Sequence, residues 1–249
     1  MGPVSRAELL VQVRELRARG LSPKQVAREL GMKPAEVAPL LRQVAGVQRG
    51  PLVDRPLPEP GERKVVDCWV SPGWSAGLGL DRSPPEWAAS DPDGRVTGGT
   101  GSEGLVGLMV ARADRSSRVT VCGWLVDVYC LGVKNATGPT TMSSGALFDH
   151  SRLFFSAFAT SPRTVPLELA QHLVHGAVAF AASFGFEPHP DFADTVPYLG
   201  TAPGSCPIRF GRDGIPFYVS GPHDNPREVV AALEASAGAG NYHYYLAGP

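Results

Sequence analysis

Four polar residues in the second half of the chain are the first candidates for chemistry. Asp127 interrupts the stretch VTVCGWLVDVYCLGV, residues 119–133, which is otherwise almost wholly apolar. A carboxylate in such surroundings must be paired or protonated, and strongly perturbed groups in clefts are candidate site residues. Lys134, the only lysine of the second half, follows directly and is the expected partner. The pattern predicts a catalytic set of Asp127, Lys134, His189 and Asp213, and the alternative is a structural Asp127–Lys134 ion pair.

Two histidines suggest metal binding. His172 and His175 are three residues apart in a segment with helical periodicity, so they can share one helix face. Asp191 follows the predicted end of that helix and could fold back toward them. Two imidazoles and one carboxylate can bind zinc or iron, so His172, His175 and Asp191 form a candidate metal site. The alternative is a pair of hydrogen-bonded or surface histidines, and the sequence leaves any cofactor unknown.

A third arrangement of acidic residues is also open. Asp67, Glu103 and Asp127 follow the order of the carboxylates in ribonuclease H-like nucleases, which hold two Mg²⁺ ions about 4 Å apart. The chain has no GxSxG motif, P-loop or dinucleotide fingerprint, and the Gly-rich run Gly99–Gly104 lacks the lysine of a phosphate loop. The enzyme alternative is a hydrolytic or nucleic-acid-processing enzyme that uses the polar residues of the second half, with the first 45 residues as a targeting module.

The elements that must position these residues predict an α+β domain over residues 64–249. Strands are expected at 64–70, 105–113, 119–133, 206–210, 216–220 and 241–246, with turns at 114–117 and 212–214 making hairpins. Residues 166–184 predict the strongest helix, with Pro166 at its start and Gly185 after its end. A second main helix is expected from Asn225 to about Ser236. The order of these elements fits a mainly antiparallel sheet.

The first 45 residues predict a separate unit of three helices. Leu9, Leu10, Val13 and Leu16 recur with a helical period, and Gly20 ends that segment. Two further helices follow in LSPKQVARELGMKPAEVAPLLRQ, where Ser22 and Pro23 begin the first and Gly31 supplies a turn that needs positive φ. Residues 5–45 resemble the homeodomain-like helix-turn-helix domains of bacterial regulators, resolvases and transposases. The segments VDVYCLGVKN, GFEPHPDF and FGRDGIPFYVSGP resemble a bacterial α+β domain of no assigned activity that is sometimes fused to a helix-turn-helix.

The helix-turn-helix resemblance implies binding to double-stranded DNA through Lys24, Arg28, Lys33 and Arg42. Residues 1–50 carry nine Lys and Arg against four Glu, a net charge of +5, while the remaining chain carries −6. Three residues depart from a good DNA reader: Glu36 would face phosphates, Ala35 can contact little beyond a thymine methyl, and Pro39 should kink or shorten its helix. Residues 46–63, rich in Pro and Gly, predict a semi-rigid linker between the two domains.

Composition sets the remaining expectations. No apolar run reaches the roughly 18 residues of a membrane helix, and no apolar block follows the first basic residues, so a cytoplasmic protein without membrane partners is expected. The four cysteines are scattered and are expected to be buried apolar groups. The resulting hypothesis is a DNA-binding transcriptional regulator whose second domain senses a small-molecule ligand or forms a homodimer. The alternatives are a nucleic-acid-processing enzyme and a protein-interaction adaptor.

Overall fold

The chain folds into two compact units, Met1–Pro56 and Leu57–Pro249, in a computed structural model. The structure describes residues 6–19, 21–48, 57–81, 85–91, 104–115, 117–158 and 161–246. Helix structure continues to Gln48, and a 3₁₀ turn at Pro60–Glu62 belongs to the second unit. The predicted linker, 46–63, therefore overlaps the end of that helix and the 3₁₀ turn.

The first unit contains the three predicted helices, α1 (Arg6–Ala18), α2 (Pro23–Glu29) and α3 (Pro34–Gln48). One apolar side chain of α1, Val13, is fully buried between the other two helices, and α2 contributes Val26 and Ala27. From α3, Val37, Leu40 and Val44 complete this core. Burial of such aliphatic side chains contributes roughly 1.5–3 kcal/mol each for the larger ones, so periodic apolar residues are sufficient to hold these short helices together.

The connection from α2 to α3 is a tight turn at Gly31, whose φ is +62°, as predicted. The Glu36 carboxylate accepts a 2.9 Å hydrogen bond from the Lys33 backbone N–H at the start of α3. Pro39 does not shorten the helix, which runs for 15 residues through it. Shortening is avoided because proline removes a single backbone donor, and Val37 and Leu40 on either side are packed in the core; the alternative, a kink, stays a prediction.

The second unit is built on a five-stranded antiparallel sheet, which confirms the α+β class. Its strands are β1 (Val65–Val70), β3 (Leu105–Ala113), β4 (Arg118–Asp127), β5 (Gly132–Ser143) and β6 (Arg163–Thr164), and they lie side by side in the order β5-β4-β3-β1-β6. The predicted hairpin of β3 and β4 is confirmed. The single strand predicted over 119–133 is instead two strands, because the chain turns at residues 128–131 and returns as β5 beside β4.

Both faces of the sheet are covered by helices. One face packs against α5 (Leu167–Ala182) and α6 (Phe192–Leu199), with Trp124 and Leu108 fully buried between sheet and helices. The Trp124 indole N–H donates a 3.0 Å hydrogen bond to the Thr195 hydroxyl of α6. The other face packs against α4 (Leu147–Phe154) through Met109 and Val121. Coverage of both faces explains why β3 and β4 are apolar at nearly every position rather than alternating.

Two small sheets and a last helix complete the unit. A pair of strands, β2 (Gly79–Leu80) and β7 (Ile208–Arg209), is antiparallel, and β8 (Phe217–Val219) runs parallel to β9 (His243–Tyr245). The predicted hairpin around residues 212–214 was therefore wrong, since the strands on either side of that turn pair with other partners. Helix α7 (Pro226–Ala237) follows β8, close to its predicted bounds. Among the described residues, no helix is long and apolar enough to span a membrane.

Candidate functional site

A small pocket lies where the end of β4 and the start of β5 meet β8. Its volume is about 130 Å³. Apolar side chains of Leu105, Phe217, Val219 and Pro222 form most of its lining, and Asp127, Lys134, Ser220 and Gly221 complete it. Two of the four predicted catalytic residues, Asp127 and Lys134, are thus brought together at a concave surface, which is the general setting of small-molecule sites.

Asp127 is the last residue of β4 and is 6% exposed. Its Oδ1 accepts hydrogen bonds from the backbone N–H groups of Tyr129 (2.9 Å) and Cys130 (3.0 Å), and its Oδ2 accepts one from Leu131 (3.2 Å). Burial raises the pKa of this carboxyl from 3.8 to about 6, and the three N–H groups and Lys134 oppose that rise. Asp127 therefore holds the turn between β4 and β5 and is also one of the residues that line the pocket.

Lys134 does not pair with Asp127 as predicted. Its ammonium lies 2.9 Å and 2.7 Å from the two carboxylate oxygens of Asp224, and both side chains are mostly buried. Asp224 also accepts the Gly221 backbone N–H at 2.8 Å and the Tyr218 hydroxyl at 3.4 Å. Burial, followed by the charge of Asp224, raises the pKa of the Tyr218 phenol above its usual range, so Tyr218 is a neutral donor in this network.

Sequence reasoning missed Asp224 as a member of this site. It lies ninety residues from Lys134, in the segment GPHDNP that precedes α7, and was passed over because Asn225-Pro226 marks a helix start. A signal was present: the single lysine of the second half required a carboxylate partner, and only spatial proximity could choose among the acidic residues. The correct partner brings the loop after β8 into contact with β5.

His189 and Asp213 do not join Asp127 and Lys134 at the pocket. The His189 backbone N–H bonds to the Val133 carbonyl at 2.9 Å, which places it beside β5, but its side chain is not part of the lining. Asp213 occupies an exposed turn with φ of +55° and donates its backbone N–H to Gly77. The predicted four-residue set is corrected to Asp127, Lys134 and Asp224. His189 lies beside β5 with its side chain outside the lining, and Asp213 lies in an exposed turn.

The candidate metal ligands are not assembled. In the described part of the chain no group of three or more His, Cys, Asp or Glu side chains could hold a metal ion. His172 is buried, packs on Trp87 with ring centroids 5.7 Å apart and lies 3.6 Å from Glu168, while His175 bonds to the Gly200 carbonyl at 2.8 Å. Asp191 precedes α6, and its carboxylate lies 3.9 Å from His189. Burial lowers the pKa of His172. This is the behaviour of a histidine packed in the core, which was the alternative to a metal ligand.

The nuclease-like carboxylate order is not supported by the sheet. Asp67 pairs in register with Ala111 at one end of β3, and Asp127 pairs with Leu105 at the other. Six residue steps along β3 separate them, roughly 20 Å at about 3.3 Å per step, which is far too great for a shared metal pair. Glu103 lies outside the described residues. The three buried cysteines, Cys68, Cys122 and Cys130, are apolar core groups as expected, whereas Cys206 is exposed.

The predicted DNA-contacting residues of the first unit are at its surface. Lys24 and Arg28 lie four residues apart on α2, and Lys33 directly precedes α3; all three side chains are exposed. Within the described residues none of the three forms an ion pair with a carboxylate. The side chain of Arg42 lies outside what the structure describes. Three cations are therefore available to an external anion on the α2–α3 side of this unit.

Comparison with known proteins gives no relative: no family model, no curated protein and no solved structure matches this chain.

Proposed function

We propose that this protein is a DNA-binding transcriptional regulator. In this proposal the first unit is a helix-turn-helix that holds duplex DNA, and the second unit senses a small ligand or forms a homodimer. The observation that carries it is the exposed cationic set Lys24, Arg28 and Lys33 on a three-helix unit with its own apolar core. The concentration of positive charge in residues 1–50, against an acidic remainder, supports attraction of this unit to a polyanion.

The chemistry of α3 favours phosphate contacts over base reading. Ala35 is exposed but offers only a methyl group, and the Glu36 carboxylate is hydrogen-bonded to the helix start. Neither side chain can make the two-point contacts with base edges that give sequence specificity. Lys24, Arg28 and Lys33 can each neutralise a phosphate, and such contacts supply affinity that falls with salt. We therefore expect weak and strongly salt-dependent binding with modest sequence preference.

The test is fluorescence anisotropy of a labelled duplex of mixed sequence with the full chain between about 50 and 200 mM salt. Three phosphate contacts predict a slope of log K against log[salt] of about −2.7, at about −0.9 for each contact. Arg28→Ala should make the slope less steep by about 0.9. Arg14→Ala, which removes an exposed charge from α1, is the matched control because it changes the net charge equally but lies on another helix.

Two results would overturn the proposal. The first is a complete lack of duplex binding at the lowest salt concentration. The second is an equal loss from Arg14→Ala and Arg28→Ala, which would mean that binding depends on overall charge and not on the α2–α3 side. A protein partner captured through the same cations, with no duplex binding, would favour the adaptor alternative.

A further inference from the structure

The charges around the small pocket are unequally compensated. Among the described residues, the charged members of the lining are one carboxylate, Asp127, and one ammonium, Lys134; Asp224 lies outside the lining and pairs with that ammonium. Asp224 approaches the ammonium with both oxygens, so that positive charge is already compensated. Of the two charged residues in the lining, Lys134 already has a counter-ion, whereas in the described part of the chain Asp127 is held by backbone N–H groups alone. The lining therefore favours a ligand cation over a ligand carboxylate or phosphate.

Asp127 has capacity for one more donor. A carboxylate offers about four lone-pair sites, and among the described residues Asp127 accepts two hydrogen bonds at Oδ1 and a single one, of 3.2 Å, at Oδ2. The open site belongs to a residue that is 6% exposed and that is part of the pocket lining. A donor arriving from the pocket would complete its hydrogen bonding, and a positively charged donor would also offset the cost of its burial.

The rest of the lining determines the size and polarity of the ligand body. Leu105, Phe217 and Val219 present apolar side chains, and a Cβ at Gly221 would crowd the Lys134 ammonium at 3.0 Å. The volume of about 130 Å³ is slightly below the roughly 150 Å³ of an engineered cavity that binds benzene. The pocket therefore suits an apolar group of about five or six carbon atoms.

We propose that this pocket binds a small aliphatic or aromatic amine as its ammonium ion, with the nitrogen donating to Asp127 and the hydrocarbon body packed on Leu105, Phe217 and Val219. This inference rests on the ligand-sensing role proposed for the second unit and gives that ligand a chemical class. Binding is measured here without DNA, and duplex binding is measured without amine. Failure of one measurement is therefore distinguishable from failure of the other.

The experiment compares three probes of nearly equal shape by isothermal titration calorimetry on the full chain at neutral pH. Isopentylamine carries an ammonium, isopentanol a neutral hydroxyl and isovalerate a carboxylate. We expect isopentylamine to bind at least tenfold more tightly than isopentanol, and isovalerate to give no measurable heat of binding. Equal affinity for all three probes, preference for isovalerate, or no binding of isopentylamine would each overturn the proposal.

Variants localise the binding. Asp127→Asn should weaken isopentylamine binding at least tenfold, and Leu105→Phe should do the same by filling the pocket without changing a charge. Leu105→Phe keeps the test informative if Asp127→Asn fails to fold, because it leaves the β4–β5 turn intact. Asp213→Asn is the matched control, since it removes the same charge from an exposed turn that does not line the pocket. An equal effect of Asp213→Asn and Asp127→Asn would contradict the assignment.

Discussion

Arg112 offers the most demanding test of how the second unit is held together. This β3 residue is 2% exposed, and its guanidinium donates to the backbone carbonyls of Tyr198, Arg63 (2.6 Å) and Leu199 (3.1 Å). Burial lowers its pKa, and in the described part of the chain no carboxylate pairs with it. One charged side chain thus joins the sheet to the end of α6 and to the segment before β1.

The loss of stability expected for Arg112→Met follows from the hydrogen bonds that the substitution removes. Methionine retains most of the buried hydrocarbon length but donates nothing, so three carbonyls lose a charged donor. Leu199 keeps a second donor, the Gln171 side-chain amide at 3.0 Å, which leaves Arg63 and Tyr198 as the costly losses. Hydrogen bonds to charged groups contribute about 1.5–3 kcal/mol each, and removal of a buried charge returns part of this sum. We expect a net loss of about 3 kcal/mol.

Urea unfolding followed by tryptophan fluorescence measures this loss. All four tryptophans of the chain, Trp69, Trp74, Trp87 and Trp124, lie in the second unit, so their signal reports that unit alone. With an m-value of about 2 kcal/mol/M, the midpoint should fall by about 1.5 M. Arg118→Met is the matched control, because Arg118 is exposed and its side chain, among the described residues, donates to the Thr141 carbonyl alone. It should change stability by no more than about 0.5 kcal/mol. Equal midpoints for the two variants would refute the assigned role of Arg112.

Three further predictions concern the polar network and the first unit. The raised pKa of Asp127 means that its protonated form favours the fold, so this contribution is present below about pH 4 and is lost as the pH rises through about 6. The difference in unfolding free energy between wild type and Asp127→Asn should change by about 3 kcal/mol between pH 4 and 7. A difference that does not vary with pH would contradict the raised pKa of the Asp127 carboxyl. Lys134→Met should lower the free energy of unfolding by about 3 kcal/mol, because it leaves Asp224 buried without a cation. In a double-mutant cycle, adding Asp224→Asn to Lys134→Met should restore at least about 1 kcal/mol of that stability. Gly31→Ala should destabilise α2 and α3 by about 1 kcal/mol, as measured by hydrogen exchange, because Gly31 has a positive φ. Gly145→Ala is the control: it also places its Cβ in open space, but Gly145 has no positive φ, so it should leave stability unchanged. Equal effects of the two substitutions would show that the φ of Gly31 is not the cause.

Local pattern was sufficient for the elements with strong periodicity or punctuation. Strand β3 occupies the predicted residues, Leu105–Ala113, because an apolar run between turn signals has few other stable conformations. Helices α1 to α3, α5 and α7 likewise lie close to their predicted positions. Helix α6 was missed because its residues follow two prolines and contain Pro197, and its stability comes from packing on the sheet.

The candidate site was predictable only in part, because its members come from distant segments. Asp127 and Lys134 were found since each breaks the composition of its surroundings. The sequence did not indicate that these two residues have different partners. The hydrogen bonds of Asp127 to residues 129–131 hold the turn that reverses the chain, and Lys134, beyond that turn, pairs with Asp224. His172 and His175 were candidate metal ligands because a spacing of three residues places them on one helix face, but that spacing does not determine what the face packs against.

The double role of Asp127 links the fold of the second unit to its proposed ligand. The β4–β5 turn needs acceptors for three backbone N–H groups, and the Asp127 carboxylate supplies them. Burial of this ionised group costs free energy, which is why its pKa is raised. An ammonium ion placed on its open lone pair would favour the ionised form and reduce that cost. Ligand binding would then stabilise the same turn that begins β5 and positions Lys134 against the loop after β8. A small amine is therefore expected to raise the melting temperature of the wild-type protein and to leave that of Asp127→Asn unchanged, and this coupling would be absent if Asp127 served the turn alone.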